Sequence, residues 1–487
     1  MFAPHLNCCC HRFFWRVFIP SGDLFFVNAA LTIAPMTFGR SHPETGSPMM
    51  QSRLLPLFIL TLIASTTPAA DDWPQFRGPD GQGHSAVAGL PLTWSEIENV
   101  VWKTPVEGRG WSSPVVVGDE VWVTTALAEL ATAEESKRKL ESLPYPVPSP
   151  EVARSITLKA VCLDRDTGRL VRCMTLFETD ELFQICAANS YASPTPVAEP
   201  GRLYCDFGSL GTACIDTTNG KILWKRHLVV AHQVGPGSSP ILCGEKLILV
   251  RDGCDVQYIA ALDKNTGETI WKTDRPPIDT EFPYYKKAFS TPLVVEAAGR
   301  KQMIVPGARW LVSYDPDSGK SIWQAYTGKG FSNASCPVFG HGMVYVCTGF
   351  GESLLQAVLV DGQGDVSDTH IAWTGKKQVP KKSSPVLVGD ELYTVSDNGI
   401  TTCYDARMGA IHWSKRVLGN CSASPLFADG RVYFFDEDGK TTAIQPGKEL
   451  KILAENQVDG CIMASPAIAD RALFLRTDSH LYRIQEK

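Results

Sequence analysis

From residue 111 onward the chain alternates short period-2 apolar runs with Gly/Asp turns, the pattern of half-buried antiparallel strands. Stretches such as SSPVVVGDEVWVTT (112–125), SSPVLVGDELYTVS (383–396) and ASPLFADGRVYFFD (423–436) each predict two strands joined at a tight turn. Each opens with two small residues and a proline, and this head recurs eight times, ending at Pro114, Pro194, Pro240, Pro292, Pro337, Pro385, Pro425 and Pro466. A second hairpin follows most heads. Its fullest copy is IAALDKNTGETIWKT (259–273), with others at 214–224, 313–323 and 403–413 and a Trp-less one at 162–171. Asp263 is placed to accept from turn amides, and Gly267 supplies the positive φ that closes a short hairpin. Trp224, Trp271, Trp323 and Trp413 each stand four residues past the turn glycine, so a large ring recurs on one face of the outgoing strand. One ligand would need one site, whereas packing between repeated units needs a ring in every copy, so these tryptophans are read as structural wedges.

Two hairpins per repeat give four strands, and the head spacing of 40 to 52 residues is that of a propeller blade. The exception is 80 residues between Pro114 and Pro194. There, 126–143 (ALAELATAEESKRKLESL) has helix-forming composition, and 126–157 is read as a helical insertion in the first blade. After Pro466 only three strands remain, while NVVWKTP (99–105) is a strand with Trp102 and no hairpin partner before it. Pairing the two gives the predicted fold: all-β, an eight-bladed β-propeller of four-stranded antiparallel blades, its ring closed by an N-terminal outer strand. Residues 98–487 form the propeller. Residues 71–97, including DWPQFRGPDGQG, are an ordered arm lying across it.

Composition agrees with a large folded domain, at 44% hydrophobic and 20% charged. Arg53 followed by LLPLFILTLIASTTPAA reads as an export signal over 50–70, which predicts an exported, periplasmic or extracellular protein with no transmembrane segment in the mature chain. Residues 1–49 precede that signal and read as a mis-assigned start. Removing 1–70 takes away four basic and two acidic residues, leaving the remainder slightly more acidic than the formal −6 of the whole chain. No basic stripe suited to nucleic acid is present. Twelve of the fifteen cysteines lie beyond residue 70, with no CxxC and no adjacent pair among them. If the turn of LYCDFGSLGTACID (203–216) is centred on Ser209 and Leu210, Cys205 faces Cys214 and the pair can form a disulfide.

Ala261, Asp263, Thr266, Gly267 and Trp271 match an Ala-x-Asp-x-x-Thr-Gly-x-x-x-Trp docking motif in full. On these residues the chain resembles the pyrroloquinoline quinone (PQQ)-like repeat propellers over roughly residues 72–487. The resemblance implies one of two branches: the non-enzymatic type represented by the outer-membrane assembly protein BamB, or the quinoprotein alcohol and sugar dehydrogenases. WPQFRGP and the overall size are also similar to an uncharacterised group of exported bacterial propellers. The enzymatic branch implies PQQ with calcium, held between a tryptophan and, in the alcohol enzymes, a disulfide of adjacent cysteines. No adjacent cysteines stand in the mature chain, and no calcium ligand or catalytic base falls on a matching motif.

The loops entering each head line the mouth of the axial channel, and they are polar and unlike one another. Trp111, Asn189, His232, Lys287, Lys381 and Asn420 are the candidate ligand-binding residues, with Ser190, Lys286, Asn333 and Lys382 beside them. Trp111 could stack a flat ligand or plug the channel. His232 could act as an acid/base or bond a loop carbonyl, and the lysine pairs could meet a carboxylate or acidic sugar. DGQGDVSD (361–368) gathers three carboxylates where calcium is conceivable and an ordinary polar turn is the simpler reading. No catalytic residue or metal ligand is assigned. The expected function is a monomeric, non-catalytic scaffold binding protein or carbohydrate at the cell envelope; the alternative is a PQQ-dependent oxidoreductase acting on alcohols or sugars.

Overall fold

Seven of the eight heads run directly into the innermost strand of a blade of four antiparallel strands, and eight such blades, two of them with a short fifth strand added, are present in the computed structural model, which describes residues 72–486. The readings for residues 1–49 and 50–70 lie outside the described residues. Blade 1 comprises Val115–Val117, Glu120–Leu130, Pro150–Asp164 and Leu170–Thr179 from axis to rim. Blades 2 to 7 follow in order over 197–226, 241–274, 293–326, 338–375, 386–416 and 426–457. Blade 8 takes Ala467–Ala469, Ala472–Arg476 and His480–Ile484 from the end of the chain, and its rim strand is Val100–Pro105. Thr104 lies opposite Leu481 and Trp102 opposite Arg483, so the ring closes by pairing the two ends of the propeller. No helix among the described residues is long and apolar enough to cross a membrane.

The core lies between blades. Val386, Tyr393 and Trp413 of blade 6 pack with Val432, Phe434 and Ile444 of blade 7, and the same arrangement joins blade 4 to blade 5. The tryptophans complete these seams. Rim strands that carry a tryptophan have a bulge just before it, as at Ile222/Trp224 and Val100/Trp102. The indole then reaches the next blade's turn. Trp102 donates to Arg165 O at 2.9 Å, Trp224 to Lys264 O at 3.0 Å, Trp271 to Pro316 O at 3.3 Å and Trp413 to Gly447 O at 3.2 Å. Gly267 is needed twice in such a turn: its φ is 72°, and a Cβ there would lie 2.8 Å from the Trp224 ring.

Trp323 does not follow this pattern. The turn it would meet is replaced by 361–368, whose Gly364–Asp365 pairs in parallel with the blade 4 rim at Trp323 and Gln324. Val366 enters the same apolar cluster, and the fully buried Trp323 donates to Gln302 Oε1 at 2.8 Å. Two residues outside the motif take up the same docking role. Trp373 of blade 5 donates to Ala406 O at 2.9 Å, and Arg172, at the tryptophan position of the Trp-less copy, donates to Thr218 O at 2.7 Å. Blade 7 has Ala454 at this position, and its slot is filled from the arm: buried Trp94 packs on Tyr433 with ring centroids 6.3 Å apart, as Trp224 packs on Tyr204 and Trp413 on Tyr393.

At six of the eight seams the residue before the head proline has a specific task. Amide donors pass around the axis from one blade to the hydroxyl of the next: Ser113 N to Thr195 Oγ1, Thr195 N to Ser239 Oγ, and Ser239 N to Thr291 Oγ1, at 2.9, 2.9 and 3.0 Å. Cys336 N to Ser384 Oγ, Ser384 N to Ser424 Oγ and Ser424 N to Ser465 Oγ continue it at 2.9 Å. These groups are buried, so the belt satisfies donors that water cannot reach. It also places the functional head of blade 2 at Thr195–Pro196, two residues past Pro194, because Val197 begins the strand.

The arm spans the end of the axis away from the mouth loops. Trp73 exchanges backbone bonds with Val116 of blade 1, and Pro74 O accepts from Ala198 N of blade 2. Gln82 Oε1 accepts from Phe339 N of blade 5, His84 Nε2 lies 2.7 Å from Leu387 O of blade 6, and Gly83 O accepts from Phe427 N of blade 7. Arg77 reaches into the ring, donating to Pro385 O and Pro425 O at 2.6 and 3.3 Å. Burial with only carbonyl partners pushes its guanidinium down to about 10.

Two expectations need correction. Residues 126–130 are strand, not helix, because the long Pro150–Asp164 strand pairs with Glu120–Leu130 along its length. The helix is only Ala133–Glu141, started by Thr132 with Glu135 in a reciprocal capping box. Cys205 and Cys214 are both free. Five residues, Phe207 to Gly211, turn the hairpin around Ser209, so Cys205 faces Ala213 and Cys214 faces Tyr204; the one-residue offset puts the two thiols on opposite faces of the sheet.

Candidate functional site

In each blade the loop entering the head and the loop between the second and third strands emerge at the same end of the axis. These loops bond each other across blades, and most of the candidate residues serve that purpose. Trp111 wedges blade 1 against blade 2, its indole donating to Ala188 O at 3.2 Å while the Arg109 guanidinium covers the ring at 5.6 Å. Arg109 itself pairs with Glu151 at 2.8 Å. Asn189 donates to Val234 O and Pro236 O at 2.8 and 3.0 Å and accepts from Ser190 N and Ser193 Oγ, tying blade 2 to the loop entering blade 3.

His232 lies in that same loop, 9% exposed, its Nε2 accepting from Ser209 N at 3.3 Å. Burial, with the Arg251 charge beside it, pushes the imidazole down to about 3, so it is held neutral and is a weak base. Arg251 is in turn locked to Asp206 by two bonds of 2.6 and 3.1 Å, both side chains fully enclosed. Asn420 contributes its carbonyl, which accepts from Glu437 N at 2.7 Å; beside it Lys382 bonds Ser422 Oγ and Glu437 at 2.7 and 3.0 Å.

Lys287 and Lys381 differ, because they flank an open feature. Lys287 is buried and donates to Tyr284 O at 2.8 Å, with its ammonium 5.2 Å from the Phe331 ring centre; burial pushes it down to about 8. Lys381 lies 5.4 Å over Phe350. Phe331 and Phe350 exchange backbone bonds of 3.0 and 2.9 Å, which joins the loop entering blade 5 to that blade's own inner loop. Between them and the blade 4 loops lies a groove of about 420 Å³, lined by Tyr285, Arg309, Lys329, Phe331, Gly351 and Glu352. Tyr285 packs on Phe331 and on Tyr284 with centroids 4.6 Å apart in both cases.

None of the six lining residues was a candidate from sequence. The run FPYYKK (282–287) carried a signal, since its aromatics break the repeat pattern beside two chosen lysines. Arg309, Gly351 and Glu352 sit in inner loops that carry no head, so attention to the heads alone passes over them.

A calcium-held quinone, as the enzymatic branch implies, needs an open stacking ring and convergent oxygen donors. Arg109 covers Trp111, and no group of three His, Cys, Asp or Glu side chains among the described residues could hold a metal ion. Of the carboxylates of 361–368, Asp365 accepts from Ser367 N and Oγ and Asp361 lies 3.5 Å from His370 Nε2. The residues present do not fit that group.

The model of a protein family described as outer membrane protein assembly factor BamB matches residues 157–363 and 365–453. Among curated proteins, BamB of Yersinia pestis is 24% identical over 205 residues, 38% of this chain and 49% of the relative. BamB of Salmonella typhimurium is 23% identical over 287 residues, 57% of this chain and 70% of the relative. The matched region thus spans about half the length of the first relative. Among solved structures, the quinohemoprotein alcohol dehydrogenase of Comamonas testosteroni superposes with a TM-score of 0.58 at 11% identity, covering 87% of this chain and 82% of that one. At that identity the likeness is one of fold alone.

Proposed function

We propose that this chain, which belongs to the PQQ-like repeat propeller family described as outer membrane protein assembly factor BamB, is a non-catalytic binding scaffold of the cell envelope. It is exported, acts as a monomer, and engages a protein or carbohydrate partner through the loop end of its ring. The observation that carries this reading is how the mouth uses its polar side chains. Trp111, Asn189 and His232 are committed to neighbouring loops, and what stays open is a groove of aromatic and cationic residues with no paired acid and base poised for proton transfer.

The test has two arms run on the same purified chain. Co-purification from envelope extracts should retain outer-membrane proteins. Reconstitution with PQQ and calcium, followed by dye-linked oxidation of alcohols and aldose sugars, should give no turnover above the protein-free control; clear turnover would overturn the scaffold reading.

A further inference from the structure

We propose that the groove between blades 4 and 5 binds an acidic saccharide, a pyranose ring lying against the wall that Tyr285 and Phe331 form, with its carboxylate met by Arg309 and Lys329. The inference deepens the scaffold reading and rests on it, since it names what the open groove takes. Its volume of about 420 Å³ falls within the roughly 300–1,000 Å³ of small-molecule sites.

The aromatic content comes first. Phe282, Tyr284, Tyr285 and Phe331 form one contiguous cluster, of which the half-buried Tyr285 and Phe331 line the groove. Half-buried rings at a concave surface suit a ligand with an apolar face. The C–H face of a pyranose is such a face, and its rim of hydroxyls needs hydrogen-bond partners.

The charges supply those partners. Neither Arg309 nor Lys329 has a carboxylate within ion-pair distance among the described residues, and neither do Lys287 and Lys381, which lie over Phe331 and Phe350. Glu352 is the one acid lining the groove; its Oε2 accepts from Lys329 N at 2.8 Å, which leaves the other oxygen for a hydroxyl. Arg309 is held at φ 63°, a conformation that is strained for a non-glycine residue and persists where its surroundings fix it. Here Arg309 N donates to Gly330 O at 3.0 Å and Arg309 O accepts from Thr327 N at 2.8 Å, while the guanidinium donates to Asp279 O at 2.5 Å and keeps a buried Nε without a partner. The strained backbone thus fixes Arg309 at the groove wall, with one guanidinium nitrogen held on Asp279 O.

A peptide strand suits the groove less well. Phe331 and Phe350 already satisfy each other's amides and carbonyls, so no free backbone edge is offered along that wall. Gly351 keeps the wall low, since a Cβ there would come within 2.8 Å of the Phe331 ring.

Titration calorimetry of the full chain tests this with three probes: trigalacturonate, neutral maltotriose, and an acetylated Tyr-Phe dipeptide bearing a free carboxylate. Trigalacturonate should bind, weaken with added salt, and outcompete both other probes. Lys329→Met and Arg309→Gln should each weaken it by about tenfold or more, with melting temperatures near that of the parent chain. The exposed Lys329 variant keeps the test informative if Arg309→Gln fails to fold. No binding of trigalacturonate, equal binding of maltotriose, tighter binding of the dipeptide, or an unchanged affinity in folded Lys329→Met would each overturn the proposal. Any of those results alongside retained outer-membrane proteins leaves the scaffold reading standing, whereas dye-linked turnover removes the scaffold reading itself.

Discussion

Asp252 shows how one enclosed carboxyl can set a pH dependence for the whole ring. It is 4% exposed, and neither carboxylate oxygen has a hydrogen-bond partner. The charged groups facing it are Arg275, whose Nε is 3.5 Å away, and Lys286, which lines the same small cavity with Gln257 and Trp310. Burial outweighs the Arg275 charge and pushes the carboxyl from 3.8 up to about 6. A raised acid favours the protonated native state, so its contribution to stability is full below pH 3.8 and is lost as pH rises to about 6. Asp252→Asn removes the cost of holding the charge, while Arg275 keeps its bonds to Val305 O. The variant should therefore be more stable than the parent at pH 7 by up to about 3 kcal/mol, at roughly 1.4 kcal/mol for each unit of pKa. That gain should shrink toward zero as pH falls through the same window, read by urea denaturation at several pH values. At this scale the sequence was informative about backbone and opaque about pairing. Gly267 announces its positive φ because the motif leaves no other residue for it. The Cys205–Cys214 reading failed because one residue of loop length inverts a face, and LYCDFGSLGTACID does not reveal whether its turn centres on a residue or between two.

At the scale of the blade, the docking slot matters more than the motif that usually fills it. Trp224, Trp271 and Trp413 were legible because they repeat at fixed distance from a turn glycine, and Trp102 because VWKT repeats the IWKT of residues 270–273. Trp373 was hidden by the altered turn at 361–368, and Arg172 by its different chemistry. Trp94 was hidden because it belongs to no blade, yet the missing ring of blade 7 is recoverable from Ala454 at the tryptophan position. If Trp94 fills that slot, its removal should resemble removal of a blade's own tryptophan. Trp94→Ala and Trp224→Ala are each expected to cost about 3–5 kcal/mol, the usual range for truncating a buried aromatic. Urea midpoints with unchanged slopes would establish it; a Trp94→Ala cost below about 1 kcal/mol would show the arm merely rests on blade 7.

The whole molecule depends on making a line of eight similar units into a ring with no unpaired edge. Rim pairing of the two ends closes the ring, and a hydroxyl belt joins six of the eight seams; only the first was legible. Counting strands after Pro466 and finding an orphan at 99–105 was enough to predict closure, because an eighth blade short of its rim strand would present the His480–Ile484 edge to other chains. The hydroxyl belt was not legible as a function. The Ser-Pro heads were visible as a repeat, but which hydroxyl meets which amide is a property of neighbouring blades. Closure can be separated from the rest of the N-terminal segment by moving one strand. Val100 lies opposite Ile484, so residues 98–105 can be grafted behind residue 486 through a tight turn, keeping Trp102 against Arg165 while the arm is left out. A chain lacking residues 72–105 should associate through its open edge and unfold with lost cooperativity. The grafted chain should return to a monomer with a single transition, less stable than the parent by the contacts of the arm, as read by light scattering and thermal unfolding. If the graft stays associated, ring closure depends on the arm holding five innermost strands across the axis, and the rim pairing is secondary.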